Sequence, residues 1–204
     1  MLTHRAYKRI HAALRCELST AIAFRGILYR ACDPIFANTR DLLTGEGSRA
    51  QGGRWNAPAK ATTVYLAQSV DGAIAETLGL SSHYGFDPAK RLPLTLVAVD
   101  AMLEVVIDFT GADLRKSLGV TLAAMIRCDW RSENAAGQES LPQAMGRAAF
   151  ELGAHGIVVP SAVSRTFKNL NVFPGNLSGK SHLKIRASEK LPPPAAPGAV
   201  RSSS

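Results

Sequence analysis

The sequence is poor in cysteine and aromatic residues, has no long apolar run, and carries fewer acidic than basic side chains. Its three cysteines, Cys16, Cys32 and Cys128, are an odd number without Cys-x-x-Cys spacing. Neither a disulfide framework nor a thiolate zinc site is expected, and free thiols suit a reducing compartment. His4, His11, His83, His155 and His182 have no metal-ligand spacing and no His-Glu-x-x-His occurs, so no metal is expected. The most apolar stretch, Leu94 to Ile107, is interrupted by Asp100 and Glu104, far short of the roughly 20 apolar residues of a membrane span. Arg15 and Glu17 break what would have to be the apolar core of a signal peptide. A soluble cytoplasmic protein with no membrane partner is the expectation.

What is present is an ordinary globular composition: 204 residues, 46% hydrophobic and 20% charged, with a formal net charge of +8. That length fits one compact domain with appendages. The basic balance favours an anionic partner, whether nucleic acid, a phosphorylated small molecule or an acidic protein. Direct nucleic-acid binding is disfavoured, because the basic residues are dispersed, no DNA-binding motif is present and aromatics make up only 6%.

Residues 2–18 place Leu2, Ala6, Ile10, Ala13, Leu14 and Leu18 at helical spacing, with basic residues between them, which predicts an N-terminal amphipathic helix within residues 1–22. Runs rich in β-formers predict strands at 27–30, 63–67, 94–99, 105–109, 156–160, 170–173 and 183–186. Helical patterns fall at 70–80, 111–127 and 140–153. Strands and helices do not alternate strictly, so the expected fold class is α+β with a mixed sheet flanked by helices. From Ser188 the chain turns to Pro and Ser, and 188–204 are expected to form a disordered tail.

Two glycine-rich segments fail as nucleotide loops. Gly45 to Ala50 matches a dinucleotide fingerprint but lacks a convincing strand before it and a helix after it. Gly175 to Ser181 has one residue too few between its glycines for a phosphate loop, and His182 to Arg186 reads as a strand where a helix is required. His155 reads as structural, and Ser161 has no strand-turn-helix elbow around it.

Arg54, Tyr65 and Glu76 are spaced eleven residues apart. Gly52 and Gly53 can present Arg54 from a tight turn, either to a phosphate or to a surface ion pair. Asp71 can cap the helix that carries Glu76, whose face is shared by Ala73 and Leu80. A carboxylate there belongs either to a cleft or to a salt bridge at the core's edge. Arg30, in an apolar strand, needs a carboxylate, phosphate or carbonyl partner, and Ser161 follows the apolar strand 156–160 at its end.

Together these residues resemble the RES-domain family, named for an arginine, a glutamate and a serine and found as toxins of bacterial toxin–antitoxin pairs. The matching segments are Leu28-Tyr29-Arg30, Gly52 to Pro58, Val64 to Ala67, Ala75-Glu76, Gly156 to Ser161 and Asn169 to Pro174. They occur in the family's order over residues 24–175. After Ser161 the chain departs from the usual arginine and glycine-rich turn, with Ala162 to Lys168 in its place.

The resemblance implies an ADP-ribosyltransferase-like mixed sheet in a catalytic domain spanning 23–187, and an activity that cleaves the nicotinamide–ribose bond of NAD. Hydrolysis and phosphorolysis are both within the family, the latter with inorganic phosphate as co-substrate. The alternative is mono-ADP-ribosylation of a protein. The implied site has Glu76, Arg30 and Ser161 as catalytic residues, and Arg30, Arg54, Tyr65 and Ser161 as NAD-binding residues. In that assignment Glu76 stabilises an oxocarbenium-like sugar. Arg30 and Arg54 grip the pyrophosphate, Tyr65 stacks on a ring, and Ser161 hydrogen-bonds a phosphate or the acceptor. The implied partner is an antitoxin with a helix-turn-helix domain and a C-terminal segment that blocks the active site.

Overall fold

The computed structural model describes residues 1–83, 87 and 92–191. Its centre is a six-stranded mixed sheet: β1 (Ile22–Cys32), β2 (Val64–Ala67), β3 (Leu94–Asp108), β4 (Gly156–Pro160), β5 (Lys168–Val172) and β6 (His182–Leu191). The strands pair in the order β1-β2-β5-β4-β3-β6, and β1 also pairs with β3. The sheet therefore closes into a ring of five strands. Only β3 and β4 run parallel. β6 lies along the first part of β3, and β4 takes over the same edge from Val106 to Asp108.

The two strands expected at 94–99 and 105–109 are one strand. Val97, Val99, Ala101 and Leu103 are buried at every second position, while Asp100 and Glu104 share the opposite parity. Charges that fall in phase with the pleat do not end a strand.

Alternation divides the side chains between two faces of the ring. The inner face gathers Leu28, Leu66, Val97, Val99, Leu170 and Val172 into one cluster, with Leu42 added from a helix. Helices cover the outer face. α1 (Tyr7–Cys16), α6 (Leu122–Arg127) and α8 (Leu141–Glu151) pack over Ile157, Val159 and Phe173. α4 (Val70–His83) packs over β1 and β2 through Ala73, Ile74 and Leu78.

Several boundaries differ from the sequence reading. α1 is part of the main core: Ile10 and Leu14 are buried in it, and the backbone of Leu2 bridges to Gly137 and Glu139. The helix expected at 111–127 is two helices, α5 (Ala112–Ser117) and α6, the second capped by Thr121. The connection 31–62 holds α2 (Thr39–Leu43) and α3 (Glu46–Gln51), so Gly45 to Ala50 follows a helix, not a strand. α7 (Trp130–Ala135) precedes α8, which opens on a capping box between Ser140 and Gln143. Residues 188–191 of the expected tail belong to β6, which continues to Leu191; residues 192–204 lie outside the described residues. No helix among the described residues is long and apolar enough to cross a membrane.

Candidate active site

Glu76 lies midway along α4, on a face pressed against the connection from β4 to β5. The helix N-terminus is capped by Ser69, whose Oγ accepts from the Gly72 N–H at 3.1 Å, in place of the expected Asp71. Gly79 lets the connection come close, because a Cβ there would stand 2.7 Å from Val163 Cγ1. Ala73 is buried beneath the helix in the small cluster on β1 and β2; the side chain of Leu80 lies outside the described residues.

This close approach joins three polar groups. Glu76 Oε1 accepts from Ser161 Oγ at 2.7 Å and from Asn169 Nδ2 at 2.7 Å. Ser161 is itself fixed, its Oγ accepting from the N–H groups of Val163 at 3.1 Å and Ser164 at 3.2 Å. Asn169 lies opposite Ala67 in the pairing of β2 with β5. One carboxylate oxygen is thus locked, while Oε2 takes no hydrogen bond from the described residues. Asn169 stands inside a segment that signals the family, but nothing in its sequence neighbourhood points to Glu76. Its strand parity, shared with Asn171, is the one available signal.

Tyr65 and Arg54 belong to the same outer side but are occupied by the fold. The Tyr65 hydroxyl donates to Asn56 Oδ1 at 2.7 Å and accepts from the Trp55 N–H at 3.0 Å. Burial pushes this phenol well above its ordinary range. Gly53 has no alternative here, since a Cβ would fall 2.3 Å from the same hydroxyl. Arg54 Nη1 donates to the carbonyls of Met125 at 3.2 Å, Ile126 at 2.9 Å and Cys128 at 2.9 Å. It collects the orphan acceptors at the end of α6. Burial pulls its guanidinium below the usual arginine value, while Cys128 and Glu76 oppose that shift. Arg54 therefore stands within electrostatic reach of Glu76 without pairing to it.

Arg30 is not brought to this group. Tyr29 faces α4, so Arg30, the next residue, points to the inner face, where Nη1 donates to the Leu42 carbonyl at 3.2 Å. Burial lowers its basicity, and the groups opposing this are Cys32 and Asp41. Arg30 and Arg54, both expected on the pyrophosphate, thus each place Nη1 on backbone carbonyls of different helices, Arg30 on Leu42 of α2 and Arg54 at the end of α6.

His155 is buried and structural: its ring contacts Ser181 Oγ at 2.8 Å and Ser178 Oγ at 3.3 Å, holding the 178–181 turn. Beside Ser161 opens a cleft of about 550 Å³, bounded by α6 on one side and residues 160–165 on the other. Among the described residues, no group of three or more His, Cys, Asp or Glu could hold a metal ion.

A family model described as the RES domain matches residues 27–192. The chain is similar to the NAD(+) phosphorylases MbcT of Mycobacterium bovis and Mycobacterium tuberculosis, each 32% identical over 125 residues, which is 60% of this chain and 62% of theirs. The matched stretch thus spans less than two thirds of those relatives. Among solved structures, the crystal structure of the M. tuberculosis MbcT–MbcA toxin–antitoxin complex superposes with a TM-score of 0.72 at 27% identity, covering 90% of this chain and 94% of that one.

Proposed function

The chain belongs to the RES domain family, and from that premise we propose that it cleaves the nicotinamide–ribose bond of NAD, with inorganic phosphate as acceptor, as the toxin of a toxin–antitoxin pair. The observation that carries this reading is the Glu76 carboxylate, held by Ser161 and Asn169 through one oxygen and free of hydrogen bonds from the described residues at the other. The likeness to proteins named NAD(+) phosphorylases supports the substrate.

The chemistry asks for little more than a fixed negative charge. Nicotinamide leaves as a neutral base from a cationic pyridinium, so its departure needs no proton donor. The ribose carbon it leaves acquires oxocarbenium character, which a preorganised carboxylate stabilises at the moment it forms. A phosphate oxygen then bonds to that carbon, giving ADP-ribose 1″-phosphate. In this scheme Glu76 Oε2 faces the sugar, while Ser161 and Asn169 are positioning residues that stop the carboxylate from turning. Tyr65 fixes the 53–56 turn, and Arg54 fixes the end of α6.

The same reading includes an ADP-ribosyltransferase-like fold, a catalytic unit running from α1 through β6, and a cytoplasmic location. It also includes a cognate antitoxin with a helix-turn-helix domain and a C-terminal segment that blocks the cleft. The likeness to the MbcT–MbcA complex supports such a partner.

The test is product analysis of NAD incubated with the purified protein, with and without phosphate and with no other protein present. Nicotinamide release that requires phosphate, together with a phosphorylated ADP-ribose product, is the expected outcome. Equal release without phosphate would assign hydrolysis instead, release only on adding an acceptor protein would assign ADP-ribosyl transfer, and no release under any condition would overturn the reading.

A further inference from the structure

The arginines first expected to hold phosphate groups each place Nη1 on backbone carbonyls, Arg54 at the end of α6 and Arg30 on Leu42. Two other arginines have the opposite character. Arg127, at the end of α6, and Arg165, in the β4–β5 connection, both line the 550 Å³ cleft, and both are solvent-exposed. Neither forms a hydrogen bond or ion pair with the described residues. The cleft lining contains no acidic side chain.

Resting on the NAD-cleaving reading, we propose that Arg127 and Arg165 form the phosphate subsite of this protein, gripping either the pyrophosphate of the dinucleotide or the incoming inorganic phosphate. Three features support it together. An arginine fork offers planar paired donors suited to phosphate oxygens, and an unpaired one keeps that capacity available. The cleft volume falls within the roughly 300–1,000 Å³ of small-molecule sites. Apart from Ser161 and Ser164 the rest of its lining is apolar: Leu122 on α6 and Val163 in the connection keep 39% and 43% of their surface exposed. Large apolar side chains left open beside unpaired cations suit a ligand with a flat heterocycle at one end and phosphate at the other.

The subsite is joined to the proposed chemistry by short physical links. Ser161 belongs to the cleft wall and donates directly to Glu76, so one side chain connects the cleft to the carboxylate. Arg54, by gathering the carbonyls of Met125, Ile126 and Cys128, fixes the backbone on both sides of Arg127. Its part in phosphate recognition is then indirect, as a positioning residue.

The experiment is calorimetric binding of two probes, inorganic phosphate and ADP-ribose, to the full chain and to the double variant Arg127→Gln/Arg165→Gln. The control is Arg25→Gln/Arg186→Gln, two exposed arginines on β1 and β6 whose removal costs the same two positive charges away from the cleft. We expect the cleft variant to bind at least one probe tenfold or more weakly, with thermal stability and control affinity unchanged. Weakening for ADP-ribose assigns the site to the pyrophosphate, and weakening for phosphate assigns it to the acceptor. Affinities within twofold of wild type for both probes, an equal loss in the control, or no binding by the wild type would overturn the subsite. Binding needs no turnover, so a failure of NAD cleavage and a failure of this subsite are read separately.

Discussion

The corner where α1, α7 and α8 meet and the region around Glu76 both bury polar side chains, but they treat them in opposite ways. At the corner no buried side-chain donor or acceptor among the described residues lacks a partner. Glu139 receives Arg147 Nε at 2.7 Å on one oxygen, and on the other Arg147 Nη2 at 2.8 Å and the His4 N–H at 3.0 Å. Gln143 donates to the Gly53 carbonyl at 2.9 Å and to Asn134 Oδ1 at 2.8 Å, and accepts from the Ser140 N–H and Asn134 Nδ2. Around Glu76 capacity is left over: among the described residues Oε2 takes no hydrogen bond, and Asn169 Oδ1 and both amide atoms of Asn171 are buried without a partner. Saturated polar burial specifies architecture, whereas unsaturated polar burial is tolerated where a site needs handles.

The largest effect is expected from breaking the closed corner. Glu139→Ala leaves the Arg147 guanidinium half-buried over the Tyr7 ring, with only the more exposed Glu151 as a counter-charge. Removing one member of a buried ion pair costs about 3–5 kcal/mol, and chemical denaturation should register a loss of that order. NAD turnover per folded molecule should stay close to wild type. A stable variant with lost activity would reverse the roles assigned to the two regions.

At the open region the ranking inverts. Glu76→Gln preserves an oxygen able to accept from Ser161 and Asn169, so the local structure should persist, with stability within about 1 kcal/mol of wild type. What disappears is the charge proposed to meet the sugar cation, and removing one such electrostatic group costs about 10²–10³-fold in turnover. Steady-state kinetics should show the loss in kcat, with KM for NAD little changed. Wild-type kcat in this variant would remove Glu76 from the chemistry.

How much of this contrast can be read from the sequence depends on whether a feature is local. The period-two burial of β3 and the apolar run of β4 are written into adjacent residues, and so is the parity that separates Tyr29 from Arg30. Grouping Arg30 with Glu76 ignores that parity, because family resemblance links residues by motif and not by sheet face. Glu76 and Ser161 are 85 positions apart, and their meeting depends on Gly79 admitting Val163, a contact no local pattern encodes. The integration of α1 is hidden for the same reason: an amphipathic helix announces an apolar face without naming what covers it. That Arg147 is saturated while Arg127 and Arg165 are unpaired is equally tertiary, since all three are arginines in or beside helical or turn-rich sequence.

The smallest effect sharpens the comparison most. Asn171 has no solvent exposure and lies between Tyr65 and Ile157 across the sheet, yet its amide has no hydrogen-bond partner among the described residues. Leucine matches asparagine in branching and in the number of side-chain heavy atoms, so Asn171→Leu keeps the shape and deletes only the polarity. Replacing a buried polar group by an apolar one of the same shape is nearly neutral or stabilising when no partner is stranded. Urea denaturation should therefore give a change within about 1 kcal/mol, or a gain, against the several kcal/mol expected for Glu139→Ala. A loss above about 2 kcal/mol would place Asn171 with the closed corner, and the line drawn between saturated scaffold and unsaturated site would have to move outward from the sheet.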